Sequence, residues 1–346
     1  MRKNYRLAIL ALTALAVGPT HVLAQAGGGT LSNEPVGGAA MIFRKPENPP
    51  VHGSSGPSAV GAGRTSDRAR TRTRPTVNVH EQAIAKANAA RSAATPRYSE
   101  AELNYKLAAK QDPNDARAQL GLGNVYLDQG LFQDAVNAYQ QALKVKKDYV
   151  DAYQPLSYSL AQLNRFPEAA AALKQALEYD PNNAEIYNNL AFAYAHAERY
   201  PEAIDASQHA ITLLAQTGGA YKQGLQNRNE VLSNAYKNLG NAYNGLKDYS
   251  EAAEALKKAA EIEPTNAAAQ FNLGLALYNG KRYSEAIEAY KTVVKLRPQL
   301  AAAHYNLGLT FVAVNDQASA RQEYELLRTL NPQMANALSG LIKIKR

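Results

Sequence analysis

From residue 116 to residue 334 the chain returns to one pattern of apolar, small and polar positions every 34 residues. Count each period from Ala116, Val150, Ala184, Ser233, Ala267 and Ala301. Position 7 is then always Leu (Leu122, Leu156, Leu190, Leu239, Leu273, Leu307) and position 20 always Ala (Ala135, Ala169, Ala203, Ala252, Ala286, Ala320). Position 8 is small: Gly123, Ser157, Ala191, Gly240, Gly274 and Gly308. Position 24 is a larger apolar residue at Tyr139, Leu173, Leu256, Tyr290 and Tyr324, with Ser207 the exception. Positions 4, 7, 8 and 11 share one face of a helix, and positions 20, 24 and 27 share one face of a second. Each period therefore predicts two helices. Small residues at 8 and 20 let their backbones approach closely, and the side chains at 7 and 24 fill the space beside that contact.

Punctuation agrees with two helices per period. Prolines fall at Pro113, Pro181, Pro264, Pro298 and Pro332, with Lys147 at the one missing beat. A proline there stops the second helix. Gly130 and Gly280 are expected to mark the turns between paired helices. Pro167 and Pro201 suit the first turn of a second helix. Pro155 falls inside a first helix and should kink or delay it. The beat is interrupted once, by about four helical turns of extra chain near residues 216–230, which include Gly218, Gly219 and Gly224. That insert either lengthens two facing helices or projects as a loop. A degenerate period precedes the regular ones, at about residues 82–115. Tyr98, Ala101, Tyr105, Ala108 and Pro113 fit its second helix, with Ser99 and Glu102 spaced as a capping box. Residues 334–345 are expected to form a helix that covers the last exposed face.

These residues resemble the tetratricopeptide repeat family over about residues 116–334. The resemblance implies an all-α fold. It would be a right-handed superhelical solenoid of helix-turn-helix repeats, six clear and one degenerate, closed by a C-terminal capping helix. It also implies that the first helices line a concave groove that takes a peptide or protein partner. Departures from the family pattern lie at position 4, where Gln119, Gln270 and His304 replace an aromatic residue. Position 27 departs too, where Val293 and Leu327 replace a small one.

Composition narrows the chemistry. The chain has 346 residues, no Cys, six His and a formal net charge of +8. Without Cys there is no disulfide, no thiolate metal site and no Cys nucleophile. The positive charge is concentrated near the N-terminus. Arg2, Lys3 and Arg6 precede an apolar run over residues 7–17, too short to span a bilayer, which needs about 20 residues. Small residues follow at Ala24 and Ala26. Residues 1–26 thus read as a secretory signal peptide, and the protein as exported, periplasmic or secreted, with no transmembrane helix in its mature form. Residues 27–79 are rich in Gly, Pro, Ser and Arg, show no apolar period and read as a disordered tether; residues 80–346 form the repeat array. Arg64, Arg68, Arg70, Arg72 and Arg74 cluster in the tether. They suit either an anionic envelope polymer or simple solubility. No aromatic residues interleave for base stacking, so no nucleic acid is expected.

The candidate binding residues follow from the resemblance. Position 6 is Asn189, Asn238, Asn272 and Asn306 in the last four periods, a ladder whose amides suit the N–H and C=O groups of an extended peptide. Lys237, Asn241 and Asn272 fall on positions that other members use to clamp a peptide carboxylate, though Ala302 and Asn306 replace two further residues of that clamp. Phe271 and Tyr305 offer apolar contacts in the same groove. No catalytic motif, cofactor-binding motif or metal-ligand cluster stands in the sequence. Gly274 to Lys281 has the wrong spacing for a phosphate loop, and His196 and His209 read as surface residues. The expected function is a non-enzymatic scaffold that binds a protein or peptide. Two alternatives stay open: an envelope-assembly or polymer-export scaffold held by its basic tether, and a noncatalytic subunit of a larger enzyme.

Overall fold

The computed structural model describes residues 41, 45–51, 79–216 and 225–342. The expected signal peptide, the five clustered arginines and most of the expected tether lie outside the described residues. Among the described residues there are fifteen α-helices and no strand. In chain order they are α1 (Val79–Arg91), α2 (Tyr98–Gln111), α3 (Ala116–Asp128), α4 (Phe132–Val145), α5 (Val150–Gln162), α6 (Phe166–Tyr179), α7 (Ala184–His196) and α8 (Tyr200–Gln216). There follow α9 (Leu225–Gly245), α10 (Tyr249–Ile262), α11 (Ala267–Asn279), α12 (Tyr283–Leu296), α13 (Ala301–Ala313), α14 (Gln317–Leu330) and α15 (Pro332–Ser339). They fall into two compact units, one holding α1–α6 and the other α7–α15. Within each unit every helix pair packs on the next, the stacking expected of tetratricopeptide repeats. No helix of the described residues is long and apolar enough to cross a membrane.

The small-residue contact predicted between paired helices is present. All six position-20 alanines are fully buried. A Cβ built on Gly123, Gly240 or Gly274 lands under 3.0 Å from Tyr139, Leu256 or Tyr290, the position-24 residue of the same repeat. The glycine is thus the seat on which the large side chain rests. Val293 and Leu327, the oversized residues at position 27, are both fully buried and so take part in the core.

The helix ends follow from backbone sterics. The residues before Pro113, Pro181, Pro264 and Pro298 are extended, with φ between −128° and −137°, as the proline ring requires of its predecessor. Pro332 instead opens α15 in its first turn. Position 15 of all six regular repeats is left-handed: Gly130, Asn164, Glu198, Lys247, Lys281 and Asn315 have φ between 58° and 73°. Gly130 and Gly280 both stand in the turns between paired helices, as expected. Gly130 is itself the left-handed residue, whereas Gly280, with φ −75°, caps α11 one residue before left-handed Lys281.

Three further expectations are corrected or settled. The capping box does not form: α2 starts after Arg97 without a side-chain cap, and Glu102 instead accepts bonds from Lys106 Nζ and Tyr126 Oη. Pro155 does not delay α5, which starts at Val150 and runs through it. The described part of the insert lengthens two facing helices, while Gly218, Gly219 and Gly224 lie outside the described residues. The other second helices of the regular repeats have 14 residues and their first helices 13, whereas α8 has 17 and α9 has 21. Leu214 on α8 and Val231 on α9 pack with Ala184 on α7 at full burial. Arg228 donates to the Leu214 carbonyl near the end of α8 and so ties the two lengthened helices together.

The last repeat carries a pH-dependent contact. His304 on α13 is buried, with Nδ1 2.6 Å from Glu323 Oε2 and Nε2 2.8 Å from the Pro298 carbonyl. Both ring nitrogens face acceptors, so the doubly protonated ring fits best. The bond to Glu323 raises the His304 pKa above its usual 6.5, against the opposing effect of burial. A raised folded-state pKa gives stability that is full below about 6.5 and is lost as pH rises through the folded value. Melting temperatures of the wild type and of His304→Gln are therefore expected to converge as pH rises from about 6 toward 9. A difference that is flat in pH would contradict the contact.

Candidate functional site

The eight residues predicted to line a groove all lie on first helices of the unit that holds α7–α15. Asn189 is on α7; Lys237, Asn238 and Asn241 are on α9; Phe271 and Asn272 are on α11; Tyr305 and Asn306 are on α13. Successive first helices touch, so the rungs do share one side of the stack. They are deeply set. Asn189, Asn238, Asn272 and Asn306 are 1%, 0%, 2% and 7% exposed, and Lys237 is 3% exposed. Part of their hydrogen-bonding capacity is spent between neighbouring helices. Asn238 Nδ2 donates to the backbone and side-chain oxygens of Asn188, and Asn272 Nδ2 donates to Asn241 Oδ1 at 2.9 Å. Asn238 Oδ1 is buried with no hydrogen-bond partner. Phe271 packs edge-on against Tyr290, and half-buried Tyr305 packs into the last core cluster. His196 and His209 are exposed, as expected. Gly274 to Lys281 forms the end of α11 and its turn.

A second polar cluster, which the sequence reading did not single out, lies on first helices α1 and α3 of the other unit. Its centre is a repeated pair. Tyr105 Oη donates to Asn88 Oδ1, and one repeat later Tyr139 Oη donates to Asn124 Oδ1 at 2.9 Å. Each hydroxyl occupies the amide oxygen and so turns the Nδ2 donor outward. Both tyrosines rest on glycine, since a Cβ on Gly121 would strike the Tyr105 ring and one on Gly123 the Tyr139 ring. Beside them Arg91, 4% exposed, is held by Asp128 through Nε at 2.8 Å and Nη2 at 3.3 Å. Arg117 is held by Asp115 and Glu81.

The acids around Arg117 are arranged to fix it. Burial alone would raise the Asp115 pKa, but bonds from Arg117 and His80 outweigh it and hold the carboxyl at about 2. Burial would lower the Arg117 pKa, and its bonds to Asp115 and Glu81 raise it instead. Both groups therefore stay charged across any ordinary pH. His80, Asp112 and Asp115 stand close enough to share a metal ion. Both His80 nitrogens are already engaged, with the Ala108 carbonyl and Asp115, so the cluster reads as support for Arg117.

These donors meet a stretch of the chain that the sequence placed in the tether. Residues 45–51, which form no helix or strand, lie against α1 and α3. Asn88 Nδ2 donates to the Pro49 carbonyl at 2.8 Å and Asn124 Nδ2 to the Glu47 carbonyl at 2.9 Å. Arg91 Nη1 donates to the Pro46 carbonyl at 3.0 Å, and Arg117 Nη1 to the Pro50 carbonyl at 2.7 Å. The sequence signal was present in retrospect: a position-24 tyrosine facing a position-9 asparagine, as Tyr139 and Asn124 do. In the last two repeats Tyr290 and Tyr324 face Leu275 and Leu309 instead, so the pairing is confined to the N-terminal part of the array.

Three family models match the chain. Two described as tetratricopeptide repeat cover residues 182–264 and residues 237–301 and 282–335, and one described as TPR repeat covers residues 123–156 and 158–196. Together they reach from residue 123 to residue 335 and omit only residue 157, more than half of the 346-residue chain. No curated protein matches. Among solved structures, the chain is similar to a tetratricopeptide repeat protein from Parabacteroides merdae, with a TM-score of 0.54 and 14% identity over 77% of this chain and 99% of that one. It is also similar to pilF of Pseudomonas aeruginosa, with a TM-score of 0.52 and 20% identity over 66% and 98%. A third similarity is to the APC/C hetero-tetramer Cut9-Hcn1, with a TM-score of 0.53 and 17% identity over 78% of this chain and 50% of that one. At these identities the likenesses concern the fold.

Proposed function

We propose, from the premise that the chain belongs to the tetratricopeptide repeat family, that it is a non-enzymatic scaffold binding an extended peptide segment of a protein partner along its first helices. One observation carries this reading: the first helices α1 and α3 already hold a stretch of polypeptide by four of its backbone carbonyls. Backbone recognition of that kind needs donors on a helical face and a ligand outside helix and strand, and both are present. In the other unit the asparagine ladder on α7, α9, α11 and α13 is the corresponding candidate. The sequence features of the N-terminus favour an exported protein, and the clustered arginines an attachment to an anionic envelope surface. Both are parts of the proposal that rest on sequence alone.

The test is a selection of displayed random peptides on the full chain, followed by titration against a variant carrying Asn238→Ala, Asn272→Ala and Asn306→Ala. Peptides selected on the wild type are expected to lose about tenfold or more in affinity, as two or three lost hydrogen bonds of about 1 kcal/mol imply. Unchanged affinity across the selected set would reject the ladder as the binding face.

A further inference from the structure

We infer that residues 45–51 are a resident peptide ligand in an exchangeable site on α1 and α3, and that the site accepts, in trans, a proline-rich extended peptide of the same chemistry. This deepens the scaffold reading and rests on it, but it concerns a different unit from the asparagine ladder.

The complementarity is between side chains that donate and a backbone that accepts. Asn88, Arg91, Arg117 and Asn124 present N–H groups, and the four carbonyls they bind come from Pro46, Glu47, Pro49 and Pro50. Three of those four residues are prolines, which have no backbone N–H. An extended segment of another composition would bring unpaired N–H groups onto a surface that offers them few acceptors, and each would lose its water. Proline also pre-sets the extended conformation, so little chain entropy is lost on binding.

Sequence is read at one side chain. Asn48 Oδ1 accepts from Arg91 Nη1 at 2.8 Å, and Asn48 Nδ2 donates to the Asn88 carbonyl at 3.2 Å and to Ser92 Oγ. A residue without both a donor and an acceptor loses one side of that exchange. At the head of the segment Lys45 lies 3.3 Å from Asp128, but its side chain is 63% exposed, so it adds little. The recognised motif is thus Pro-X-Asn-Pro-Pro, held in place before any partner arrives.

The site is built rather than incidental. Tyrosine hydroxyls aim both asparagine amides, and buried carboxylates fix both arginines, so the donors are aligned without help from the segment. The occupant is attached to α1 through residues 52–78. Covalent attachment places such a segment at an effective concentration on the order of millimolar, and a free peptide must compete with that. Release of the resident segment, for example when its flanking chain is engaged elsewhere, would open the site.

The experiment uses the full chain and a labelled synthetic peptide of sequence KPENPPV, followed by fluorescence anisotropy. Two proteins are compared: the wild type, and a variant in which residues 45–51 are replaced by an equal length of Gly and Ser. The variant is expected to bind the peptide at least about tenfold more tightly than the wild type, because the cis competitor is gone. A peptide with Asn48→Ala is expected to bind the variant about tenfold or more weakly, with no change to the protein that a folding defect could explain. Asn124→Ala in the same variant, with helicity checked by circular dichroism, is expected to weaken binding similarly. Equal affinity of the wild type and the variant would overturn the inference, as would an absence of binding to the variant at about millimolar peptide. Indifference to Asn48→Ala would also overturn it. The asparagine-ladder titration on α7–α13 is untouched by these outcomes and judges the scaffold reading separately.

Discussion

Tyr139→Ala is expected to cost about 3–5 kcal/mol, the range for deleting a fully buried aromatic side chain. Tyr139 is fully buried, its ring seated on Gly123 and its hydroxyl bonded to Asn124. Removing the ring opens a cavity between α3 and α4, and neither helix can collapse into it without losing the rest of its contacts. Tyr139→Phe separates the two roles. The ring stays, but Asn124 Oδ1, in a fully buried residue, loses its donor, at about 1–3 kcal/mol. The amide of Asn124 is then free to turn, and its grip on the Glu47 carbonyl should weaken with it. Urea denaturation followed by circular dichroism gives the stability change. The rate of cleavage after Glu47 by a glutamyl endopeptidase reports on the grip. A Tyr139→Phe protein with wild-type stability would show that the hydroxyl does not position the asparagine.

The second large effect is at the C-terminal end. Leu338→Ala is expected to cost about 2–5 kcal/mol of the stability of the last repeat. Leu338 is fully buried at the centre of a cluster that also holds Leu309, Ala320, Leu327, Ala335 and Ile342. It covers Gly308, where a Cβ would meet the Leu338 side chain. In the middle of an array the next helix pair would close that face; here α15 does so with only eight residues. In a stacked array each unit depends on its neighbours, so a weakened cap exposes the repeat beneath it first. Hydrogen exchange is expected to accelerate in α13, α14 and α15 while α1–α6 keep their wild-type rates. Uniform acceleration along the chain would show that α15 acts as more than a local cap.

Where the sequence was legible, a steric rule stood behind it. Alanine at position 20 and a small residue at position 8 have one use in a helix pair, close approach, and the structure places them there. Proline at position 32 requires an extended predecessor, and it marks the helix end well, although Lys146 is extended before Lys147 too and so the end does not depend on the proline alone. The turn residue was less legible. Position 15 is left-handed in every regular repeat, yet only Gly130 announces it; Glu198, Lys247 and Lys281 adopt the same φ because the helices on either side impose it. The supposed capping box failed for a similar reason, since Glu102 finds Tyr126 and Lys106, which no local pattern reveals.

The candidate site divides along the same line. The asparagine ladder was visible as a periodic column, though its depth and its bonds between helices were not. The α1–α3 face was missed. Its residues come from a degenerate repeat, and its occupant lies in a stretch that composition assigned to the tether. Pro46, Pro49 and Pro50 have no apolar periodicity to display. Their partners Asn88 and Asn124 lie some forty to eighty residues away in sequence.

A large side chain seated on glycine builds the pairs α3–α4, α9–α10 and α11–α12 and, in the N-terminal repeats, a tyrosine in that role aims an asparagine of the first helix. A double-mutant cycle between positions 123 and 139 tests it most directly. Gly123→Ala alone is expected to destabilise, because its Cβ strikes the buried Tyr139 ring. In a Tyr139→Ala background the same change should stabilise, by up to about 1 kcal/mol, since alanine favours the helix over glycine once the ring is gone. A change of sign between the two backgrounds confirms the seat. The same sign and size in both would contradict it.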